Sequence, residues 1–178
     1  MDAGMISTRY ASAIYEYAVE KKNETAAYQE MQVLIKSFST YPMLRKVMND
    51  PTISHAQKIQ VLTTAPGART NDLLKQILQV VVENGRANYM ENIALAYNQI
   101  YREAKGIVIV NLTTVEPASE KTKQALIEII SKGNSKQVEF YTQTNSDIIG
   151  GFVLEIGDKR LDASVKNQLN QLRLNLSE

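Results

Sequence analysis

Cysteine is absent from this chain of 178 residues. That excludes disulfides and thiolate metal sites, and it fits a reducing compartment. Histidine occurs once, as His55, too few for a histidine metal cluster. With no thiol beside it a Cys-His pair cannot form, and a Ser-His-Asp triad is all but excluded; His55 reads as a polar residue in the first turn of a helix. An excess of either charge is also missing, with 20 basic against 19 acidic residues. The halves match: residues 1–105 carry 12 basic and 10 acidic groups, and residues 106–178 carry 8 and 9. Neither half attracts nucleic-acid phosphates or an anionic membrane surface strongly. No apolar run approaches the roughly 20 residues needed to cross a bilayer. The opening Met1-Asp2-Ala3-Gly4-Met5 has neither the basic-then-apolar pattern of a signal peptide nor the Arg- and Ser-rich pattern of a transit peptide. The expectation is a soluble, cytoplasmic chain of bacterial type.

What is present is helical patterning, and the 44% hydrophobic content is enough for a packed core. From Ile6 to Lys22, apolar residues recur at Ile6, Tyr10, Ala13, Ile14, Tyr17 and Ala18, the spacing of one helix face. The polar side is narrow, confined to Arg9, Ser12, Glu16 and Glu20. Asn23 offers a cap for a second helix striped by Tyr28, Met31, Leu34, Ile35 and Phe38, which Pro42 interrupts. A brief helix to about Met48 follows, and Asp50-Pro51 stops it. Ser54 with Gln57 forms a capping box for a helix through Leu62. Ala65-Pro66-Gly67 reads as loop. Thr70, Asn71 or Asp72 then caps a helix over 70–84 carrying Leu73, Leu74, Ile77, Leu78, Val81 and Val82, and Gly85 supplies the left-handed residue that ends it. Tyr89 to Lys105 holds a further stripe of Tyr89, Ile93, Ala96, Tyr97, Ile100 and Ala104. Six helices with short links predict a bundle over residues 1–105.

The period changes at Gly106. Ile107-Val108-Ile109-Val110 is a β-branched run, Ser119 opens a helix carrying Leu126, Ile127, Ile129 and Ile130, and Val138, Phe140 and Thr142 alternate as a second strand. An apolar strand from Ile148 to Leu154, a turn at Gly157-Asp158-Lys159 and a short return strand at Leu161 lead to Ser164, placed as the N-cap of a terminal helix. Val165, Leu169, Leu172 and Leu176 form one stripe along that helix. The fold class expected is therefore α+β: an N-terminal six-helix bundle over 1–105 and a small α/β domain over 106–178.

Candidate chemistry is sparse. Gly150-Gly151 lacks the following Gly-Lys-Ser/Thr and helix start of a phosphate loop, so the two glycines read as a bend or a close backbone approach. Glu155, Asp158 and Asp162 cluster near the closing hairpin without the spacing of a coordinating loop. The nine tyrosines lie mostly on helical apolar stripes with no basic residues between them, which favours core or interface over base stacking. No cofactor or metal is expected. The apolar arcs of helices 6–22 and 70–84 are wider than one packing neighbour requires. Either both helices are central in the bundle or they leave a surface for a ligand, and residue pattern alone does not decide between these.

Several segments together carry a resemblance. The Gly150-Gly151-Phe152 strand, the Gly157-Asp158 turn, the Asp162-Ala163-Ser164 step and the leucine-striped last helix resemble the ending of the delta subunit of F-type ATP synthase, called OSCP in mitochondria. Arg9-Tyr10-Ala11-Ser12-Ala13-Ile14-Tyr15-Glu16-Tyr17-Ala18 is similar to that family's opening helix, and Val82-Glu83-Asn84-Gly85-Arg86 to its Gly-Arg turn. The resemblance covers nearly the whole chain. It implies a non-catalytic stator subunit of a proton-driven synthase, peripheral on the cytoplasmic face of the bacterial plasma membrane without inserting into it, and not bound to nucleic acid. It also implies a groove for the N-terminal segment of the catalytic head's alpha subunit, formed by Tyr10, Ala13, Ile14 and Tyr17 with Leu74, Ile77, Leu78 and Val81. The C-terminal domain would meet the end of the b-type stalk through Leu169, Leu172 and Leu176. The rival reading is a small helical nucleic-acid-binding or regulatory adaptor.

Overall fold

The computed structural model describes residues 3–64, 72–134 and 137–175. The expected loop at Ala65-Pro66-Gly67, two of the three candidate caps (Thr70 and Asn71) and Leu176 lie outside these. The described residues hold eight α-helices and a four-stranded mixed sheet, an α+β fold. The chain divides into two compact units, Met1–Glu103 and Ala104–Glu178.

The first unit is helical. Helix α1 (Ala3–Glu20) starts earlier and stops sooner than its stripe suggested, because Lys22 turns the chain at φ 54°. Helix α2 (Glu24–Thr40) follows. Asn23 stands at its N-cap but makes no side-chain capping bond there, so the expected cap is one of position only. Pro42 occupies the N-cap of α3 (Met43–Asn49). Helix α4 (His55–Thr64) opens with the capping box: Gln57 N–H donates to Ser54 Oγ at 3.3 Å, and Ser54 N–H donates back to Gln57 Oε1 at 3.1 Å. Helix α5 (Asp72–Glu83) ends at Gly85, which adopts φ +67°. Gly85 N–H then reaches Val82 O at 2.9 Å and Arg86 N–H reaches Val81 O at 3.0 Å, the paired closure that satisfies the last carbonyls of a helix. A 3₁₀ turn at Ala87–Tyr89 leads into α6 (Met90–Lys105).

The core of this unit joins Met31, Leu34 and Phe38 of α2 to Leu62 of α4, Leu78 of α5 and Ile93 of α6, all buried. Burying each such side chain stabilises the fold by about 1.5–3 kcal/mol. Helix α6 is rotated from the expected stripe: Met90, Ala94, Asn98 and Tyr101 are buried beside Ile93 and Tyr97, whereas Ala104 is exposed and Ala96 and Ile100 are only half-buried. Tyrosine chemistry explains the rotation. Tyr97 donates its hydroxyl to Glu24 O at 3.1 Å, and Tyr101 stacks on Tyr28 with ring centres 4.2 Å apart while donating to Thr25 Oγ1. Each ring is buried with its polar tip satisfied. Burial pushes the Tyr97 phenol well above its usual range.

The second unit contains strand β1 (Val108–Thr114), helix α7 (Glu120–Asn134) and strands β2 (Val138–Thr144), β3 (Gly151–Ile156) and β4 (Lys159–Ser164), with helix α8 (Val165–Asn175) last. Sheet order is β2-β1-β3-β4. The β1–β2 pair is parallel, as the intervening α7 crossover requires, and the β1–β3 and β3–β4 pairs are antiparallel. Val110, Leu112 and Leu154 form the core, with Leu126 and Ile130 of α7 and Val138 and Phe140 of β2 packed against them. The expected strand from Ile148 begins three residues late. Ser146–Ile148 is a 3₁₀ turn, Ile149 takes φ +67° and Gly151 takes φ +75°, so the apolar run bends before pairing starts.

Candidate functional site

The wide apolar arc of α1 divides in two. Ile6, Ala11, Ile14 and Ala18 are buried in the helical unit, whereas Tyr10 is half-buried, Ala13 is exposed and Tyr17 keeps 36% of its surface exposed. Helix α5 divides similarly: Leu74, Ile77, Leu78, Val81 and Val82 are buried, while Val80 is 53% exposed beside the exposed Gln76. The outward parts of both helices line one groove of about 370 Å³. Tyr10, Ala13, Ile14 and Tyr17 form its α1 wall, and Gln76, Ile77, Val80 and Val81 form its α5 wall.

Six of the eight residues expected in a groove therefore line it. Leu74 and Leu78 do not; both are buried, on the side of α5 away from Val80, and belong to the core alone. Gln76 and Val80 take their places on the wall. Val80 was legible as an apolar residue three positions after Ile77, on the side of α5 away from Leu74 and Leu78. Gln76 carried no hydrophobic signal, yet its Oε1 accepts the Tyr17 hydroxyl at 3.2 Å, a bond that spans from α1 to α5. The ammonium of Lys21 lies 5.5 Å from the centre of the Tyr17 ring and adds positive charge near this end.

The leucines expected to meet a stalk lie on α8. Leu169 and Leu172 are 52% and 57% exposed, and Val165 on the same stripe is also exposed; Leu176 is outside the described residues. The helix is held at its start instead. Ser164 Oγ accepts from Asn167 N–H at 3.1 Å and donates to Asp162 Oδ1 at 2.6 Å, while Asn167 Nδ2 donates to Asp162 O at 3.1 Å.

A family profile described as ATP synthase delta (OSCP) subunit matches residues 6–176. The chain belongs to that family. It is 52% identical over 174 residues to the ATP synthase subunit delta of Azobacteroides pseudotrichonymphae, covering 97% of this chain and 98% of the relative. It is 34% identical to the subunit of the same name from Phocaeicola vulgatus, with 97% and 94% covered, and 34% identical to that of Parabacteroides distasonis, with 100% and 99% covered. Among solved structures, a chain of the Toxoplasma gondii mitochondrial ATP synthase hexamer shares the fold, with a TM-score of 0.72, 23% identity and 97% of each chain covered. The delta subunit is a structural, non-catalytic member of the ATP synthase complex.

The remaining candidates for chemistry have structural roles in this delta-family fold. His55 is an exposed first-turn residue of α4. Two of the three hairpin carboxylates are tied by Arg160, whose guanidinium lies 3.6 Å from Glu155 and 3.4 Å from Asp162. The Ser164 hydroxyl, then its backbone N–H, hold the Asp162 carboxyl below the usual carboxylate range, with Arg160 assisting. Among the described residues no group of three or more His, Cys, Asp or Glu side chains is placed to hold a metal ion. Gly151 is a site of close backbone approach, since an added Cβ would collide with the carbonyl of Ala163 on β4. No helix of the described residues is long and apolar enough to cross a membrane.

Proposed function

We propose that this subunit is the stator link of a proton-driven F-type ATP synthase, joining the catalytic head to the peripheral stalk on the cytoplasmic face of the bacterial plasma membrane. Residues 1–105 form a six-helix bundle domain whose α1–α5 groove receives the N-terminal segment of an alpha subunit. Residues 106–178 form the second domain, which meets the end of the b-type stalk through α8. The observation that carries this reading is the groove itself: an apolar surface from two neighbouring helices that the bundle leaves uncovered, in a chain of the delta family. Amphipathic segments bind such grooves by burying one face. Central-shaft rotation puts torque on the head, and that torque drives synthesis only if the head is held still. Two contacts on one subunit reinforce each other, because engaging one raises the local concentration of the other.

A peptide copying the alpha N-terminal segment, titrated into the full chain, tests the reading. Binding should bring a gain of peptide helicity and a negative heat-capacity change, the sign of apolar burial. Absence of binding by a folded chain would refute the groove assignment. The nucleic-acid adaptor is disfavoured by the balanced charge and by the tyrosines Tyr28, Tyr97 and Tyr101, which are core residues.

A further inference from the structure

We infer that the segment seated in the α1–α5 groove carries an acidic residue, received by Arg9 and Arg86, and that this contact fixes the segment's direction along α1. The inference rests on the docking reading above and adds the chemistry of the partner. Beside the groove, and sharing Tyr10 and Ala13 with it, lies a second depression of about 410 Å³. Met5 and Ile6 contribute apolar surface to its lining, and Arg9 and Arg86 line it as well.

The placement of Arg86 is built into the chain. Gly85 at φ +67° and the bond from Arg86 N–H to Val81 O fix this residue just past the end of α5. Its guanidinium rests 6.0 Å from the ring centre of Tyr89, which orients it without neutralising it. Arg9 is exposed on the second turn of α1. Among the described residues neither arginine has a carboxylate partner. Arg45 and Arg160, by contrast, are engaged: Arg45 makes two 2.6 Å bonds to Glu91, and Arg160 lies between Glu155 and Asp162. Two cations around one depression repel each other, and a shared anion relieves that repulsion. A guanidinium's planar fork suits a carboxylate in particular.

The two ends of the combined groove thus differ. One carries the two guanidiniums of Arg9 and Arg86, the middle is apolar, and the other holds the Tyr17–Gln76 hydrogen bond with a single ammonium, Lys21, set against the Tyr17 ring. Arg9 and Tyr17 are eight residues apart on α1, about 12 Å at the helical rise. A helix of two to three turns spans that distance, and one with its carboxylate at a single end is favoured in the direction that sets it between the two guanidiniums, whose planar forks suit a carboxylate better than the single ammonium of Lys21 at the far end. The same charge that selects direction also favours faster encounter.

Calorimetry on the full chain tests this with two peptides: the N-terminal segment of the same synthase's alpha subunit, and its analogue with every Asp and Glu converted to the amide. The native peptide should bind about tenfold or more tightly than the amide peptide. The Arg9→Gln/Arg86→Gln double variant should bind the native peptide as weakly as the unaltered chain binds the amide peptide, with little further loss when both changes are combined. Raising salt should weaken only the fully charged pair. The two-peptide comparison on the unaltered chain stands even if the double variant melts early. Equal affinity for both peptides, or an alpha segment with no carboxylate, overturns the inference and leaves groove docking intact. Binding of neither peptide overturns groove docking and the inference with it.

Discussion

Gly151 of β3 lies directly against the backbone carbonyl of Ala163 across the β3–β4 pair, with no room for a side chain between them. The same residue holds φ +75°, a conformation that other L-residues adopt at a cost. Gly151→Val is expected to destabilise the chain by roughly 1–3 kcal/mol through both effects. Chemical denaturation measures the loss. Binding of the alpha-derived peptide should survive, because the groove is built from α1 and α5; an unaltered stability would show that β4 yields easily.

The groove is best probed at its rim. Ile14 and Val81 are 8% and 1% exposed, so an aspartate at either would unfold the bundle as readily as it would block a ligand. Ala13 and Val80 point outward on opposite walls. Ala13→Asp and Val80→Asp should each leave the melting temperature within a few degrees of the parent and weaken peptide binding by about tenfold or more. A stable variant with unchanged affinity would remove that wall from the interface.

Acid stability should report the start of α8. The hydrogen bonds from Ser164, foremost its hydroxyl, lower the folded-state pKa of Asp162. A carboxyl depressed on folding stabilises the native state above its unfolded value of about 3.9 and loses that contribution as pH falls through the folded value. The stability difference between the parent and Asp162→Asn should therefore be largest near neutrality and shrink steadily below about pH 4. Denaturation series from pH 7 to pH 2 would reveal it, and a difference independent of pH would assign the role of Asp162 to neutral hydrogen bonding.

Cutting the chain between residues 105 and 106 tests domain independence. Fragment 1–105 should be strongly helical and melt cooperatively, and fragment 106–178 should melt at a lower temperature because so short a chain buries less surface. Circular dichroism on the two fragments gives the answer, and an unfolded first fragment would make the two halves mutually dependent.

The sequence revealed most clearly those features set by neighbouring residues. Ser54 with Gln57, Gly85 after α5 and Ser164 before α8 were all legible because a cap involves atoms only a few positions apart. The change of period at Gly106 was legible for the same reason. Features decided by distant contacts were not. The stripe read along α6 took in Ala96 and Ile100 and left out Asn98 and Tyr101, and only the stacking of Tyr101 on Tyr28 and its bond to Thr25 show why α6 turns the other way. In α5, periodicity located a broad apolar arc but not the line dividing core from groove, so Leu74 and Leu78, which do not line the groove, were grouped with Ile77 and Val81, which do. Ile148 and Ile149 looked like strand because the run is apolar, whereas the turn they form is imposed by pairing that begins at Gly151.

The exposure of α8 bears on the life of the subunit before assembly. Leu169 and Leu172 face outward on one side of the helix, and Leu174, 67% exposed, lies on another. A newly made chain therefore carries an adhesive surface from the moment it folds. Copies made in excess of their partners would stick to one another or be handed to the cell's proteases, so the abundance of this subunit is tied to the supply of whatever shields its last helix.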